Sequence, residues 1–265
     1  MGQYDKQNVG YEKMNCYLCG NRNFEILMSY DHPDKYEKWM GIENVKRQWV
    51  RCVYCGFVQA LRNYKMPRLE AIYKDGYRKL GFREHTIKDT FDLIMALPHD
   101  ESENRQRCDW LEYYTGKGSI LDVGSGLGVF PYVMKSKGYD VECVEENEDS
   151  IEFLNQIGIK AYSKKPDSKY DIVSIIHVLE HIEDPVSFLK DLRKNISKWL
   201  FVEVPDAYEF DYLDKDHDEF NSCHVKFYNR ETLLDVLEQS GFLVNMMVSK
   251  FYNKRQLSRI LALCE

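Results

Sequence analysis

The stretch Ile120 to Phe130, ILDVGSGLGVF, runs an apolar strand into an acidic residue and then sets three glycines at alternate positions. A Cβ at Gly124, Gly126 or Gly128 would obstruct a sharp turn or hold a ligand away from the backbone, so the segment reads as a loop for a nucleotide-type cofactor. The dinucleotide fingerprint G-x-G-x-x-G would need its third glycine at Val129, and the observed G-x-G-x-G spacing therefore argues for a smaller cofactor. Asp122 stands at the strand's carboxyl end. Ser125 lies inside the loop. A second apolar strand, Val141 to Val144, ends in Glu145 and Glu146, and the Glu145 carboxylate is placed to accept hydrogen bonds from both hydroxyls of a ribose.

Eight cysteines are present, and four of them fall in two matched pairs, C-Y-L-C at Cys16 and Cys19 and C-V-Y-C-G at Cys52 and Cys55. Two C-x-x-C turns let four thiolates converge on one Zn²⁺, and four sulfur ligands leave no open position for water, so the expected metal is structural. Disulfides are the competing reading, opposed by the matched spacing and the absence of a secretory signal. A hairpin carrying Trp39 and Trp49 is expected to fill the long gap between the pairs. Net charge −7 and a sequence pI of about 5.6 disfavour a general nucleic-acid binder, whose phosphate contacts need a basic surface. The polar N-terminus and the lack of a long apolar run lead us to expect a cytoplasmic protein with no membrane insertion.

The segment YDIVSIIHVLEHIEDPVSFLKDL, from Tyr170 to Leu192, follows the glycine loop and its acid; WLFVEVPD, ETLLDVLEQSGF, FLVNMMVSK and SRILALCE come after it. Together these resemble the class I S-adenosylmethionine-dependent methyltransferases. The resemblance implies a Rossmann-like α/β core with a seven-stranded sheet, S-adenosylmethionine as cofactor, and His177 and Val178 near its methionine end. WVRCVYCGFVQA and LEAIYKDGYRKLGF are further similar to the N-terminal part of bacterial sugar C-methyltransferases and their shorter relatives in surface-polysaccharide gene sets. In those proteins a four-cysteine zinc domain leads into a tyrosine-rich lid, which makes Tyr73 and Tyr77 cofactor-binding candidates. The larger C-methyltransferases carry another Rossmann-like domain, so a shortened version is expected here. Their Tyr-His-Glu-His stretch is replaced by DEFNSCHVKFYNR, which favours O-methylation over C-methylation. The expected division is a zinc-binding domain over 1–66, a helical lid and linker over 67–115, and the methyltransferase domain over 116–265. HTIKDTFDLIMALP, stopped by Pro98, and RCDWLEYY read as helices in the lid.

A sulfonium methyl is already electrophilic, so a base matters only when the nucleophile is a weakly acidic hydroxyl. Three of the seven histidines fall where the fold places a site, His177, His181 and His224. His224 is the first candidate for the base and His181 the second, with an ordering role in its loop as the competing reading for His181 and packing for His224. Glu203, at the end of the fifth strand, is a third candidate to orient a hydroxyl. Lys74, Arg78, Lys79, Arg83, His85, Lys226 and Arg230 sit among aromatics and suggest an anionic acceptor, a phosphorylated or nucleotide-linked sugar or a phosphoramidate-type precursor; a solvated helix face is the alternative. The expectation is a small-molecule O-methyltransferase in surface-polysaccharide biosynthesis, a monomer or homodimer. An RNA- or protein-directed methyltransferase gripping its target with the zinc domain, a sugar C-methyltransferase and a non-catalytic binding module stand as alternatives.

Overall fold

The structure, a computed structural model, describes residues 14–64, 86–253 and 255–265. Tyr73 and Tyr77, and the cations Lys74, Arg78, Lys79, Arg83 and His85, lie outside the described residues.

The N-terminal unit begins with β1 (Phe24–Tyr30) and a short helix α1 (Lys35–Trp39). Asp34 and Glu37 form a reciprocal capping box that fixes where α1 starts. Strands β2 (Arg47–Cys52) and β3 (Val58–Arg62) follow. The expected hairpin carrying Trp39 and Trp49 is met in part: β1 and β2 pair antiparallel with Trp49 on β2, but Trp39 lies on the helix that joins them. The two tryptophans differ in use. Trp49 is fully buried, whereas Trp39, at the end of α1, is 42% exposed.

Two helices lead into the core: α2 (Ile87–Met95), capped by Thr86, and α3 (Glu103–Thr115), capped by Ser102 and ended by Gly116. Strands and helices then alternate, through β4 (Ser119–Val123), α4 (Val129–Ser136), β5 (Asp140–Val144), α5 (Glu148–Gln156), β6 (Lys160–Tyr162), β7 (Tyr170–Ile176), α6 (Pro185–Leu192) and β8 (Ile196–Pro205). The chain finishes with the two-residue β9 (Lys226–Phe227), α7 (Arg230–Gln239) and the long hairpin β10 (Val244–Tyr252) and β11 (Leu257–Cys264).

The main sheet has the order β10-β11-β8-β7-β4-β5-β6. β4, β5, β6, β7 and β8 run parallel, and β11 enters antiparallel between β8 and β10. Continuous apolar runs such as YDIVSII and SRILALC suit these central positions, because helices or other chain cover both faces of a parallel sheet. The connections leave β4 to β5 on one side and reach β7 on the other, and the crevice at this reversal is where α/β sheets bind ligands.

β9 belongs to the other sheet. Val58 pairs with Phe227 and Gln59 with Lys226, giving the order β1-β2-β3-β9. A residue pair from the far end of the chain thus completes the N-terminal sheet, and Trp49 packs edge-on against Phe227 at 5.0 Å. No helix among the described residues is long and apolar enough to cross a membrane.

Candidate active site

Gly124, Gly126 and Gly128 all take positive φ, 77°, 53° and 75°. At Gly124 a Cβ would also stand 2.6 Å from Val178 Cγ2, so glycine is required there on two counts. At Gly126 a Cβ would meet nothing within 4 Å, because that turn of the loop faces open space. The Glu145 carboxylate accepts hydrogen bonds from the backbone N–H of Gly126 at 2.7 Å, of Glu146 at 2.8 Å and of Asn147 at 3.0 Å. It therefore pins the glycine loop to the end of β5. A cavity of about 280 Å³ opens beside them, lined by Gly124, Gly126, Glu145, Glu146, His177, Val178 and His181, with Phe188 on its apolar wall.

Asp122 and Ser125 stand behind this surface. Asp122 is buried and accepts a hydrogen bond from Ser174 Oγ at 2.6 Å, while Ser125 Oγ donates to the Asp122 carbonyl at 2.8 Å. Burial pushes the Asp122 carboxyl up to about 6, against the opposing pull of the two serine hydroxyls. Both residues shape the loop from beneath, and neither lines the cavity.

The floor is ionic. His177 sits at φ 53°, a left-handed conformation rare for a residue with a Cβ, and its N–H donates to the Glu203 carbonyl at 2.9 Å. Its ring lies between two buried carboxylates, Nδ1 3.3 Å from Glu180 Oε1 and Nε2 3.3 Å from Glu203 Oε1. Burial lowers the imidazole's affinity for a proton, but the two carboxylates outweigh it and raise His177 to about 9. Glu203 is gripped from its other side by Arg107, whose Nε donates at 2.8 Å and whose second nitrogen bonds the other oxygen. Burial favours the neutral acid, yet Arg107 and His177 prevail and hold Glu203 down at about 2. This bears on the expectation that Glu203 orients a hydroxyl: fully buried and outside the cavity lining, it holds His177 and Arg107 instead.

His181 and His224 are neighbours, with ring centroids 4.6 Å apart. His181 lines the cavity, and its Nδ1 lies 3.1 Å from the Cys223 carbonyl, which places a proton on Nδ1 and leaves Nε2 as the acceptor. Burial holds His181 below the usual histidine value. His224 is only 6% exposed, and burial, reinforced by His181, drives it down to about 3. Of the two, His181 lines the cavity and His224, the first candidate from the sequence, does not. Neither oxygen of the fully buried Glu180 accepts a well-formed hydrogen bond from the described residues, nor does His224 Nδ1 take part in one. Ligand atoms of Glu180, His181 and His224 lie within 4.8 Å of one another, an arrangement able to receive a hydroxyl proton or a cation.

The methyltransferase domain family model matches residues 80–245, more than half of the sequence. The chain belongs to that family. It is a class I S-adenosylmethionine-dependent methyltransferase. The ubiquinone biosynthesis O-methyltransferase of Acinetobacter baumannii (strain AYE) is 22% identical over 183 residues, covering 57% of this chain and 75% of its own length. That of Leptothrix cholodnii is 22% identical over 186 residues, covering 56% and 79%. Among solved structures, the 1,6-didemethyltoxoflavin-N1-methyltransferase of Burkholderia thailandensis aligns with a TM-score of 0.57 at 13% identity, over 81% of this chain and 97% of that one. The magnesium protoporphyrin IX methyltransferase of Synechocystis PCC 6803 gives 0.55 at 16% identity, over 77% and 100%. At these identities the solved structures establish the fold alone.

Outside the cleft, the methyltransferase gathers Cys16, Cys19, Cys52 and Cys55 so that their sulfurs all lie within 4.8 Å. Cys16 and Cys55 Sγ are 3.5 Å apart, and Cys19 and Cys52 Sγ 3.6 Å. A tetrahedron of sulfurs about 2.3 Å from Zn²⁺ has edges of about 3.8 Å, so the set fits that ion closely. Each turn is closed in the same way, with Gly20 N–H donating to the Cys16 carbonyl and Gly56 N–H to the Cys52 carbonyl, both at 2.9 Å and both glycines at positive φ.

One of the methyltransferase's cations is not where the sequence suggests. Lys226 is 3% exposed, and its Nζ donates to the carbonyls of Ile182 at 3.0 Å and Glu183 at 2.7 Å. Enclosed there, it cannot meet an anionic acceptor. Arg230 donates to the Met247 carbonyl. Arg107 escaped notice as a site residue because an arginine within ENRQRCDW looks like ordinary helix surface and only the folded chain brings it to Glu203 on β8; Glu180, close after β7, was passed over because its burial is not readable from LEH.

Proposed function

We propose that this methyltransferase methylates an oxygen atom of a small-molecule acceptor, using the cavity at the carboxyl ends of β4, β5 and β7 as its cofactor site. The observation that carries this reading is the meeting, on one cavity wall, of the exposed glycine-loop backbone, the Glu145 carboxylate and the acceptor nitrogen of His181. S-adenosylmethionine supplies, when bound, an electrophilic methyl on its sulfonium. Glu145 would hold the ribose hydroxyls, and Gly124, Gly126, Glu146, His177 and Val178 would form the surrounding wall, supported from below by Asp122, Ser125 and Gly128. Tyr73 and Tyr77 are proposed as lid residues on the strength of the sequence resemblance.

His181 would accept the hydroxyl proton at Nε2. Its depressed pKa keeps it neutral at pH 7, and the Glu180 carboxylate stands beside it to stabilise the imidazolium that results. The names of the curated relatives, O-methyltransferases at 22% identity, support oxygen as the methylated atom. An anionic carbohydrate-related acceptor in surface-polysaccharide biosynthesis rests on the lid cations of the sequence, with Lys226 now removed from that set. Residues 1–66 would be a unit folded around structural Zn²⁺, residues 67–115 a cover, and residues 116–265 the catalytic domain.

Incubation with S-adenosylmethionine and a panel of phosphorylated and nucleotide-linked sugars, read as release of S-adenosylhomocysteine, tests the assignment. Turnover with an anionic sugar is the expected result. Turnover confined to RNA or protein would overturn it in favour of a macromolecular substrate.

A further inference from the structure

The segment from Val178 to Val186 forms one wall of the cofactor cavity through Val178, His181 and Ile182, and before α6 begins at Pro185 its regular structure is a single 3-10 turn, Leu179–His181. Such a loop needs outside partners for its backbone groups. Two of its partners come from the four-cysteine unit and the strand that completes its sheet. Tyr17 is the residue immediately after the first cysteine. Its hydroxyl donates to Asp184 Oδ1 at 2.6 Å and accepts from the Val186 N–H at 3.2 Å, while its own N–H donates to Gln59 on β3 at 2.9 Å. Lys226, on β9, places its ammonium 4.8 Å from the centre of the Tyr17 ring and spends it on the Ile182 and Glu183 carbonyls. Buried charge on a lysine is tolerated only where such acceptors converge.

We propose that Tyr17 and Lys226 are positioning residues that clamp the 178–186 segment to the four-cysteine turn, so that the state of the cysteines sets cofactor affinity. The metal half of this statement rests on the proposed Zn²⁺; the clamp itself rests on the hydrogen bonds. Displacing the Cys16–Cys19 turn moves Tyr17, frees the amino end of α6 and loosens the wall that carries His181. Loss of the ion would therefore weaken binding in a cleft that neither cysteine pair touches.

The test uses the full-length protein and S-adenosylhomocysteine as the probe. Tyr17→Phe keeps the ring and deletes only the hydroxyl. It should raise the calorimetric Kd about fivefold or more, equivalent to about 1 kcal/mol, with bound zinc unchanged and a cooperative melting transition retained. Amide hydrogen exchange should quicken across 178–186. Removing zinc from the wild type with a chelator should raise the Kd in the same sense, whereas the Tyr17→Phe/Lys226→Met double variant should respond to zinc removal less than twofold. A Tyr17→Phe variant with wild-type Kd and wild-type exchange would overturn the clamp. Equal sensitivity to zinc removal in wild type and double variant would overturn the transmission route. Wild-type protein purified without zinc would instead defeat the metal reading alone, and the Tyr17→Phe comparison would still decide the clamp.

Discussion

His181 and His224 lie ring against ring, yet enclosure gives them different work. The sequence favoured His224 as the base because it precedes an aromatic stretch, Phe227 and Tyr228, that resembles an acceptor-facing segment. In the fold those aromatics turn inward, Phe227 onto Trp49 and Tyr228 onto Phe57, and His224 goes with them. His181→Asn should accordingly lower kcat by about 10²-fold or more with S-adenosylhomocysteine affinity near wild type, since only proton acceptance is lost. His224→Asn should cost less. The acid limb of the kcat profile reports protonation of the base, and burial lowers the His181 pKa, so the fall in rate should come below the ordinary histidine value of 6.5. A limb at or above that value, or an unchanged rate in His181→Asn, would move the proton elsewhere. Lys226 teaches the same lesson: its charge was legible in the sequence, but its burial was not, because β9 joins a sheet whose other strands lie far earlier in the chain.

Among elements, α3, β7 and β8 are joined by the Arg107–Glu203–His177 network rather than by apolar packing alone. Removing one partner of a buried ion pair leaves the other uncompensated, so Arg107→Ala should destabilise the protein by about 3–5 kcal/mol, measured as a shift in the urea midpoint. The network also has a pH signature. Glu203 is depressed to about 2, so its contribution is full above its ordinary 4.5 and is lost as pH falls through 2. His177 is raised to about 9, so its contribution is full below 6.5 and is lost as pH rises through 9. His177→Asn keeps a residue that tolerates the left-handed backbone while removing this titration. Between pH 6.5 and 9 the wild type should lose melting temperature relative to that variant, and parallel curves would show that His177 is not held protonated. Strand and helix boundaries were readable from apolar runs, caps and glycines; this network was not, because nothing in local sequence says which helix face meets which strand end.

At the scale of the molecule, the seven-stranded core was implied by the family resemblance that the glycine loop, its acid and the segments after Tyr170 carry, and the strand order itself became visible only in the fold. The shared sheet, in which β9 ties residues after 225 to the N-terminal unit, left no trace in the sequence, because two residues carry no periodicity. It makes metal loading matter beyond the cysteines. Elemental analysis should find one zinc per chain, and replacing Cys16, Cys19, Cys52 or Cys55 should unfold the N-terminal unit and lower soluble yield; a stably folded Cys52→Ser protein would contradict this. The central claim, that the cavity beside the glycine loop holds the cofactor, is tested most directly by titrating wild type and Glu145→Ala with S-adenosylhomocysteine in a calorimeter. Wild type should bind one equivalent, and Glu145→Ala should bind more weakly by about 1.5–3 kcal/mol, the usual worth of hydrogen bonds to a charged group, with its melting curve retained. Equal affinity in the two proteins, or no binding by the wild type, would contradict the assignment.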